Sequence, residues 1–154
     1  MDSPARPSSS NTLLPSPTVL TAKIPLFNVY TPQYLGVINH TGIFVQTAPD
    51  GSGELFHVIG NIGIHGGGMK FERRAAANPP DDLSRQFVPG TQVLVGRIAG
   101  EELGRMEEIC RGIPPPGPQL TLGGKKINPA EPVRRCGDWM REAVQELKRK
   151  GLLV

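Results

Sequence analysis

The sequence predicts a single α+β domain in which an antiparallel β-sheet carries a C-terminal helix packed on it. Short β-prone runs separated by Gly, Pro, Asn and Asp occupy residues 24–98, a pattern typical of hairpins. Residues 134–150 instead repeat apolar side chains at helical spacing. With 154 residues and 38% hydrophobic content, the chain has enough apolar surface for one core but not for two.

Residues 1–22 are rich in Ser, Pro, Thr and Asn and show neither strand nor helix periodicity. Such a segment cannot bury enough apolar surface to offset the entropy lost on ordering. We therefore predict a disordered leader over residues 1–22 and one catalytic-type domain over residues 23–154.

Composition excludes several classes of function. A net charge of +3 and an aromatic content of 5% are too low for the basic, aromatic surface of a nucleic-acid binder. No window approaches the roughly 20 apolar residues needed to span a bilayer, and the N-terminus does not resemble a secretory signal. Two cysteines far apart favour neither a disulfide framework nor a zinc site. We expect a cytoplasmic protein with no membrane span, cofactor or metal.

The first elements are predicted as strands. Residues 24–30 are β-prone, and Pro25 restricts them to an edge strand or a strand start. Residues 34–47 form a strand bent around Asn39 and His40, and residues 54–59 return antiparallel to it. The intervening loop, residues 48–53, combines Pro with two Gly residues, which together favour a tight turn.

Folding this hairpin about Gly51 brings His57 opposite a residue near Phe44. Phe44 is an even number of positions from His40, and strand residues of equal parity share a face. We therefore expect the side chains of His40 and His57 to project from the same side of the sheet.

The middle of the chain is punctuated by glycine and proline. The glycine-rich residues 60–68 are interpreted as a loop or bulge, with a mobile flap as the alternative. Residues 69–74 are predicted as a strand and residues 92–98 as a central strand. A helix over residues 100–111 follows, with Cys110 on its apolar side as a core residue. The proline run at residues 113–118 indicates a rigid connector, and less readily a proline-rich ligand.

The final helix, residues 134–150, ends at Gly151 as a C-cap. Its predicted sheet-facing stripe consists of Cys136, Met140, Ala143, Val144 and Leu147.

Cys136 is the main candidate for chemistry, since it lies in the first turn of this helix after Arg134 and Arg135. The partial positive charge of a helix N-terminus and nearby guanidinium groups favour a thiolate. The N–H groups of the same turn can hold an oxyanion. The alternative is a buried structural cysteine.

His40 is the candidate base, because it precedes a small Thr-Gly pair that leaves space beside its ring. The alternative is an ordinary hydrogen-bonded histidine. A base must also be oriented by a third polar group. His57 is the first candidate for that role and Asn61 the second, whereas His65 in the glycine-rich segment is the weakest histidine. A metal site built from the three histidines is disfavoured, because their spacing does not match a helix-borne pair.

Three motifs follow one another along the chain: His-Thr-Gly-Ile-Phe-Val on a strand, a second histidine in the hairpin, and a late cysteine at a helix N-terminus. Their order resembles that of the circularly permuted papain-like enzymes. These include NlpC-like, lecithin:retinol acyltransferase-like and PPPDE-type proteins. The resemblance covers mainly residues 34–60 and 131–150. It implies Cys136 as nucleophile, His40 as base and His57 as orienting group, acting through a thioester. The sequence around Cys136, Arg-Cys-Gly-Asp-Trp, departs from the Asn-Cys-Glu-His-like motif of the acyltransferases, which leaves the subfamily open.

These observations lead to two hypotheses for function. The first is a cysteine-dependent hydrolase, acyl-transfer or cyclising enzyme acting on an amide, ester or thioester, whose substrate is a small acyl compound or, in an isopeptidase, a protein tail. The second is a non-catalytic binding module with the same fold, which uses the glycine-rich and proline-rich segments as contact surfaces. The sequence alone leaves the substrate, the acceptor and the oligomeric state undetermined.

Overall fold

The structure, a computed structural model, describes residues 25–154, so the predicted leader lies outside the described residues. Within this range the chain has an α+β architecture with a C-terminal helix, as predicted. Its strands and α-helices are β1 (Leu26–Thr31), β2 (Gln33–Tyr34), β3 (His40–Thr41), β4 (Ile43–Gln46), β5 (Gly53–Asn61), β6 (Gly68–Ala76), β7 (Val93–Ala99), α1 (Leu103–Gly112) and α2 (Cys136–Arg149). Short 3₁₀ turns cover Pro79–Asp81 and Gly100–Glu102.

Five strands form one antiparallel sheet in the order β6-β5-β4-β1-β7. Strands β2 and β3 form a separate two-residue ladder. The hairpin around Gly51 is present, and Gly51 has the positive φ of 88° expected at such a turn. The glycine-rich segment is the connection of a second and longer hairpin between β5 and β6.

Helix α2 packs against β3, β5 and α1. Its buried side chains recur at helical spacing and are Cys136, Trp139, Ala143 and Leu147. The predicted stripe therefore needs one correction, because Trp139 is fully buried whereas Met140 and Val144 are only partly so. The indole N–H of Trp139 donates to the carbonyl of Ile113 at 3.2 Å, which satisfies its one polar group in the core.

The prediction that residues 92–98 form a central strand is wrong, because β7 lies at the edge of the sheet and pairs only with β1. Its free edge is covered by the end of the chain: Arg97 and Val154 exchange two backbone hydrogen bonds of 2.8 and 3.0 Å. A β-branched run alone does not distinguish a central strand from an edge that a chain terminus protects. Pro25 lies just before β1, so its strand-start alternative is the one observed.

The predicted bend at residues 39–40 is instead a loop over residues 35–39 between β2 and β3. Val37 and Ile38, which the sequence predicts in a strand, lie in this loop and are exposed. His40 is therefore the first residue after the loop, at the start of β3.

In the described residues, no helix is long and apolar enough to cross a membrane.

Candidate active site

Cys136 is the first residue of α2, and the chain entering that helix is held on two sides. Arg135, the N-cap, is extended (φ −126°, ψ −177°), and its N–H donates to the Asp138 carboxylate at 2.8 Å. Gln119 clamps Arg134: its side-chain oxygen accepts the Arg134 N–H at 2.6 Å, and its amide donates to the Arg134 carbonyl at 2.8 Å. The start of α2 at Cys136 is thus fixed by one contact with its own first turn, through Asp138, and by a second contact with Gln119 outside the helix.

The thiol lies beside the segment that carries His40. Its Sγ atom is 3.9 Å from the carbonyl oxygen of Asn39, and only 7% of the residue is exposed. Among the described residues, the N–H groups of Cys136 and Gly137 have no hydrogen-bond acceptor, as expected for a helix start. Two donors are therefore available beside the sulfur.

The two arginines before the cysteine differ in their electrostatic role. The guanidinium of Arg134 forms a two-pronged ion pair with Glu142, with N–O distances of 2.8 and 2.9 Å. Glu142 therefore offsets the positive charge of Arg134, which was expected to favour a thiolate at Cys136. Arg135 has no carboxylate within ion-pair distance in the described part of the chain, so it is the one of the two that leaves a positive charge uncompensated near Cys136.

The side chains of His40 and His57 lie on one face, as strand parity predicts, and their rings are in direct contact. Nε2 of His40 lies 2.7 Å from Nδ1 of His57. Phe44 pairs with Leu55, so His57 lies two residues beyond the position opposite Phe44, close to the predicted register. Two is an even number, so the two histidines share a face.

Gly42 makes this contact sterically feasible. A Cβ at this position would lie 2.7 Å from Cβ of His57 and 2.9 Å from the carbonyl oxygen of Phe56. Any larger residue would push β5 or His57 away from its place. The missing side chain at Gly42 therefore makes room for the β-carbon of His57 and the carbonyl of Phe56.

His57 is fully buried, and its Nε2 lies 2.8 Å from a carboxylate oxygen of Glu72. Because an ionised carboxylate only accepts hydrogen bonds, Nε2 of His57 carries the proton. In a neutral ring Nδ1 then accepts, so Nε2–H of His40 is the donor in the contact between the two rings. This leaves Nδ1 of His40 with a free lone pair, as a base requires.

Burial is the main cause of a low pKa at both histidines. Together with the neighbouring His57 it lowers the pKa of His40 from 6.5 to about 4. Burial also lowers the pKa of His57, against the hydrogen bond to Glu72, which raises it. Loss of water around a ring disfavours its charged form. His40 is therefore neutral at physiological pH, and the same shift makes it a weaker proton acceptor than an exposed histidine.

Cys136 and His40 line one cavity of about 350 Å³, within the size range of small-molecule sites. Asn61, the second candidate for the orienting group, lines the same cavity, but its side-chain oxygen accepts the Gly63 N–H at 3.0 Å. It makes no hydrogen bond to His40, which is bound by His57 instead. His65 is exposed and lines a separate depression.

The second thiol, that of Cys110, is a core residue as predicted. It is completely buried in the apolar cluster between the helices and the sheet. Burial raises its pKa to about 12, since an apolar environment disfavours the thiolate.

Glu72 is the site residue that sequence reasoning missed. It lies on β6 directly opposite His57 in the β5–β6 ladder. Folding residues 53–76 as a second hairpin around the glycine-rich turn would have revealed it, because such a ladder pairs His57 with this carboxylate. In residues 25–154, no group of three or more His, Cys, Asp or Glu side chains is placed to hold a metal ion.

Comparison with protein families matches residues 29–154 to a family of unknown function, DUF6540. The match covers most of the chain, so the protein belongs to this family. Comparison with curated proteins and with solved structures finds no match.

Proposed function

We propose that this protein is a cysteine-dependent hydrolase or acyl-transfer enzyme, with Cys136 as nucleophile and His40 as general base. The observation that carries the proposal is the cavity that the thiol and His40 share. His40 is in turn hydrogen-bonded to His57, and His57 is hydrogen-bonded to Glu72. A nucleophile, a base and a group that orients the base form the arrangement required for covalent acyl transfer.

In the proposed reaction, Nδ1 of His40 takes the proton from the Cys136 thiol as Sγ attacks the carbonyl carbon of an amide, ester or thioester. The N–H groups of Cys136 and Gly137 stabilise the oxyanion that forms. His40 returns the proton to the leaving amine, alcohol or thiol as the carbonyl re-forms, which leaves a thioester on Cys136. Water or another acceptor then gives its proton to Nδ1 of His40 and attacks the thioester carbonyl. The C–S bond to Cys136 breaks, the sulfur takes the proton back from His40, and the acid or acylated acceptor leaves.

His57 and Glu72 act in this scheme as positioning residues. Glu72 fixes the proton on Nε2 of His57, and His57 in turn holds Nε2–H of His40. Because Nε2 of His40 is engaged by His57, Nδ1 is the nitrogen of His40 that is left to act as the base. Burial lowers the pKa of His40 to about 4, so the ring enters the cycle without a proton, although a pKa nearer the operating pH would make it a stronger general base.

The permuted papain-like fold is part of the proposal. It is supported by the order of the elements, since the histidine strands precede the cysteine helix and α2 packs against β3 and β5. Both cysteines are free thiols, which suits a reducing compartment such as the cytoplasm.

Rate measurements with iodoacetamide near neutral pH, resolved by site with mass spectrometry, test whether the Cys136 thiol and the His40 imidazole act together. Cys110 is completely buried, so poor access alone would make it slow, and the informative comparison is Cys136 with and without its histidine. We expect His40→Ala to lower the Cys136 rate about tenfold or more. His65→Ala, an exposed histidine outside the cavity, is the matched control and should leave the rate unchanged. Equal rates in the wild type and His40→Ala would contradict the proposal.

A panel of small aryl esters and thioesters tests turnover itself. We expect an acyl adduct on Cys136, detectable by intact mass, and loss of turnover in Cys136→Ser. A reactive thiol without turnover or adduct on any substrate would favour the alternative, a binding module that retains the fold.

A further inference from the structure

The wall of the cavity combines one charged side chain with an apolar surface. Arg135 is the only Lys, Arg, Asp or Glu among the described residues that line it, and Val37, Ile38, Ile62 and Met69 supply the apolar part. A site of this composition matches a ligand that carries one negative group and an apolar portion.

Arg135 is partly buried and has no carboxylate within ion-pair distance in residues 25–154. Its neighbour Arg134 is by contrast fully engaged by Glu142. A guanidinium binds a carboxylate through two parallel N–H donors, and a partly desolvated charge gains most from such a partner. Arg135 is therefore free to bind an anion that enters the cavity beside Cys136.

Two of the four apolar residues that line the cavity are exposed. Val37 is completely exposed and Ile38 is 55% exposed, and both lie in the loop that leads into His40, whereas Ile62 is buried and Met69 is partly buried. Exposed apolar side chains beside a cavity offer a surface that a ligand can cover.

We propose that the substrate is a small acyl compound with two recognition elements. One is an anionic group, a carboxylate, that binds Arg135, and the other is an apolar portion that packs on Val37 and Ile38. This inference rests on the proposed function, because it places the scissile carbonyl at Cys136. It narrows the substrate to acyl compounds that also carry a negative charge, and it disfavours cationic or wholly neutral compounds.

Two alkylating reagents that differ only in charge test the role of Arg135. Iodoacetate carries a carboxylate and iodoacetamide is neutral, so the ratio of their rates at Cys136 reports on recognition of the anion. Any effect of Arg135 on the reactivity of the thiol itself cancels in this ratio. We expect Arg135→Gln to lower the iodoacetate-to-iodoacetamide ratio about tenfold, as loss of a charged hydrogen-bonded partner implies.

Arg149→Gln is the matched control, because it removes the same charge from the exposed far end of α2 and should leave the ratio unchanged. A ratio equal in the wild type and Arg135→Gln overturns the anion site. That failure is distinct from failure of the proposed function, in which His40→Ala would leave the rates of both reagents unaltered.

The apolar half is tested with N-hexyl iodoacetamide against iodoacetamide. We expect Ile38→Ser to lower the ratio of these two rates about threefold, because apolar contact area is lost. An unchanged ratio would remove the apolar wall from the recognition surface.

Discussion

The low pKa of His40 predicts a specific dependence of stability on pH. His40 changes from an ordinary pKa of 6.5 to about 4 on folding, so the unfolded chain binds its proton more tightly than the folded one. Above pH 6.5 both states are neutral at this position and the contribution is constant. As pH falls from 6.5 towards 4, only the unfolded state takes up the proton, and folding loses free energy.

The magnitude follows from these two values. Between about pH 7 and pH 5 the ideal linkage at His40 amounts to about 2 kcal/mol of unfolding free energy. Since the ring is only partly buried, solvent screening reduces this to about 1 kcal/mol. His57, whose pKa is lowered as well, adds to the loss in the same direction.

Urea denaturation of the wild type and His40→Gln at these two pH values measures the effect. The stability of the wild type relative to the variant should fall by about 1 kcal/mol from pH 7 to pH 5. Comparing the two proteins cancels the carboxylates that also titrate in this window. His65→Gln, altered at an exposed turn, should follow the wild type. If the wild type and His40→Gln lose stability in parallel, His40 does not fold as a buried neutral base.

Further substitutions test the packing around the site. Gly42→Ala places a methyl group 2.7 Å from Cβ of His57 and should lower the unfolding free energy by about 1 to 3 kcal/mol, as measured by thermal denaturation. Gly104→Ala in α1, where nothing obstructs a Cβ, should instead raise it by about 0.5 to 1 kcal/mol. Glu72→Leu should slow alkylation of Cys136 while circular dichroism shows an unchanged fold. Glu72→Gln should slow it less, because the amide oxygen still accepts a hydrogen bond. Equal rates in the wild type and both variants would exclude a positioning role for Glu72. Leu147→Ala, which opens the core under α2, should cost about 2 to 5 kcal/mol in urea denaturation, and a loss below about 1 kcal/mol would show that the helix is loosely packed.

Local chemistry in the sequence was enough to locate several elements of the candidate site. The loop around Gly51 identified the first hairpin, because few residue combinations suit so tight a turn. Strand parity then placed His40 and His57 on one face, and the observed register agrees with that placement. Helical spacing placed Cys136 in the first turn of α2.

Only the tertiary structure decided which distant segments meet. Sγ of Cys136 lies beside the carbonyl of Asn39 because α2 packs against β3, a contact between residues about a hundred positions apart. The pairing of Glu72 with His57 and the compensation of Arg134 by Glu142 are likewise products of register and packing. Periodicity reports which face of an element is apolar, but it carries no information about which partner will bury that face. The sequence therefore determined the first hairpin, the shared face of its two histidines and the place of Cys136 at the start of α2, and long-range packing determined the cavity, its charge and the neutral state of His40.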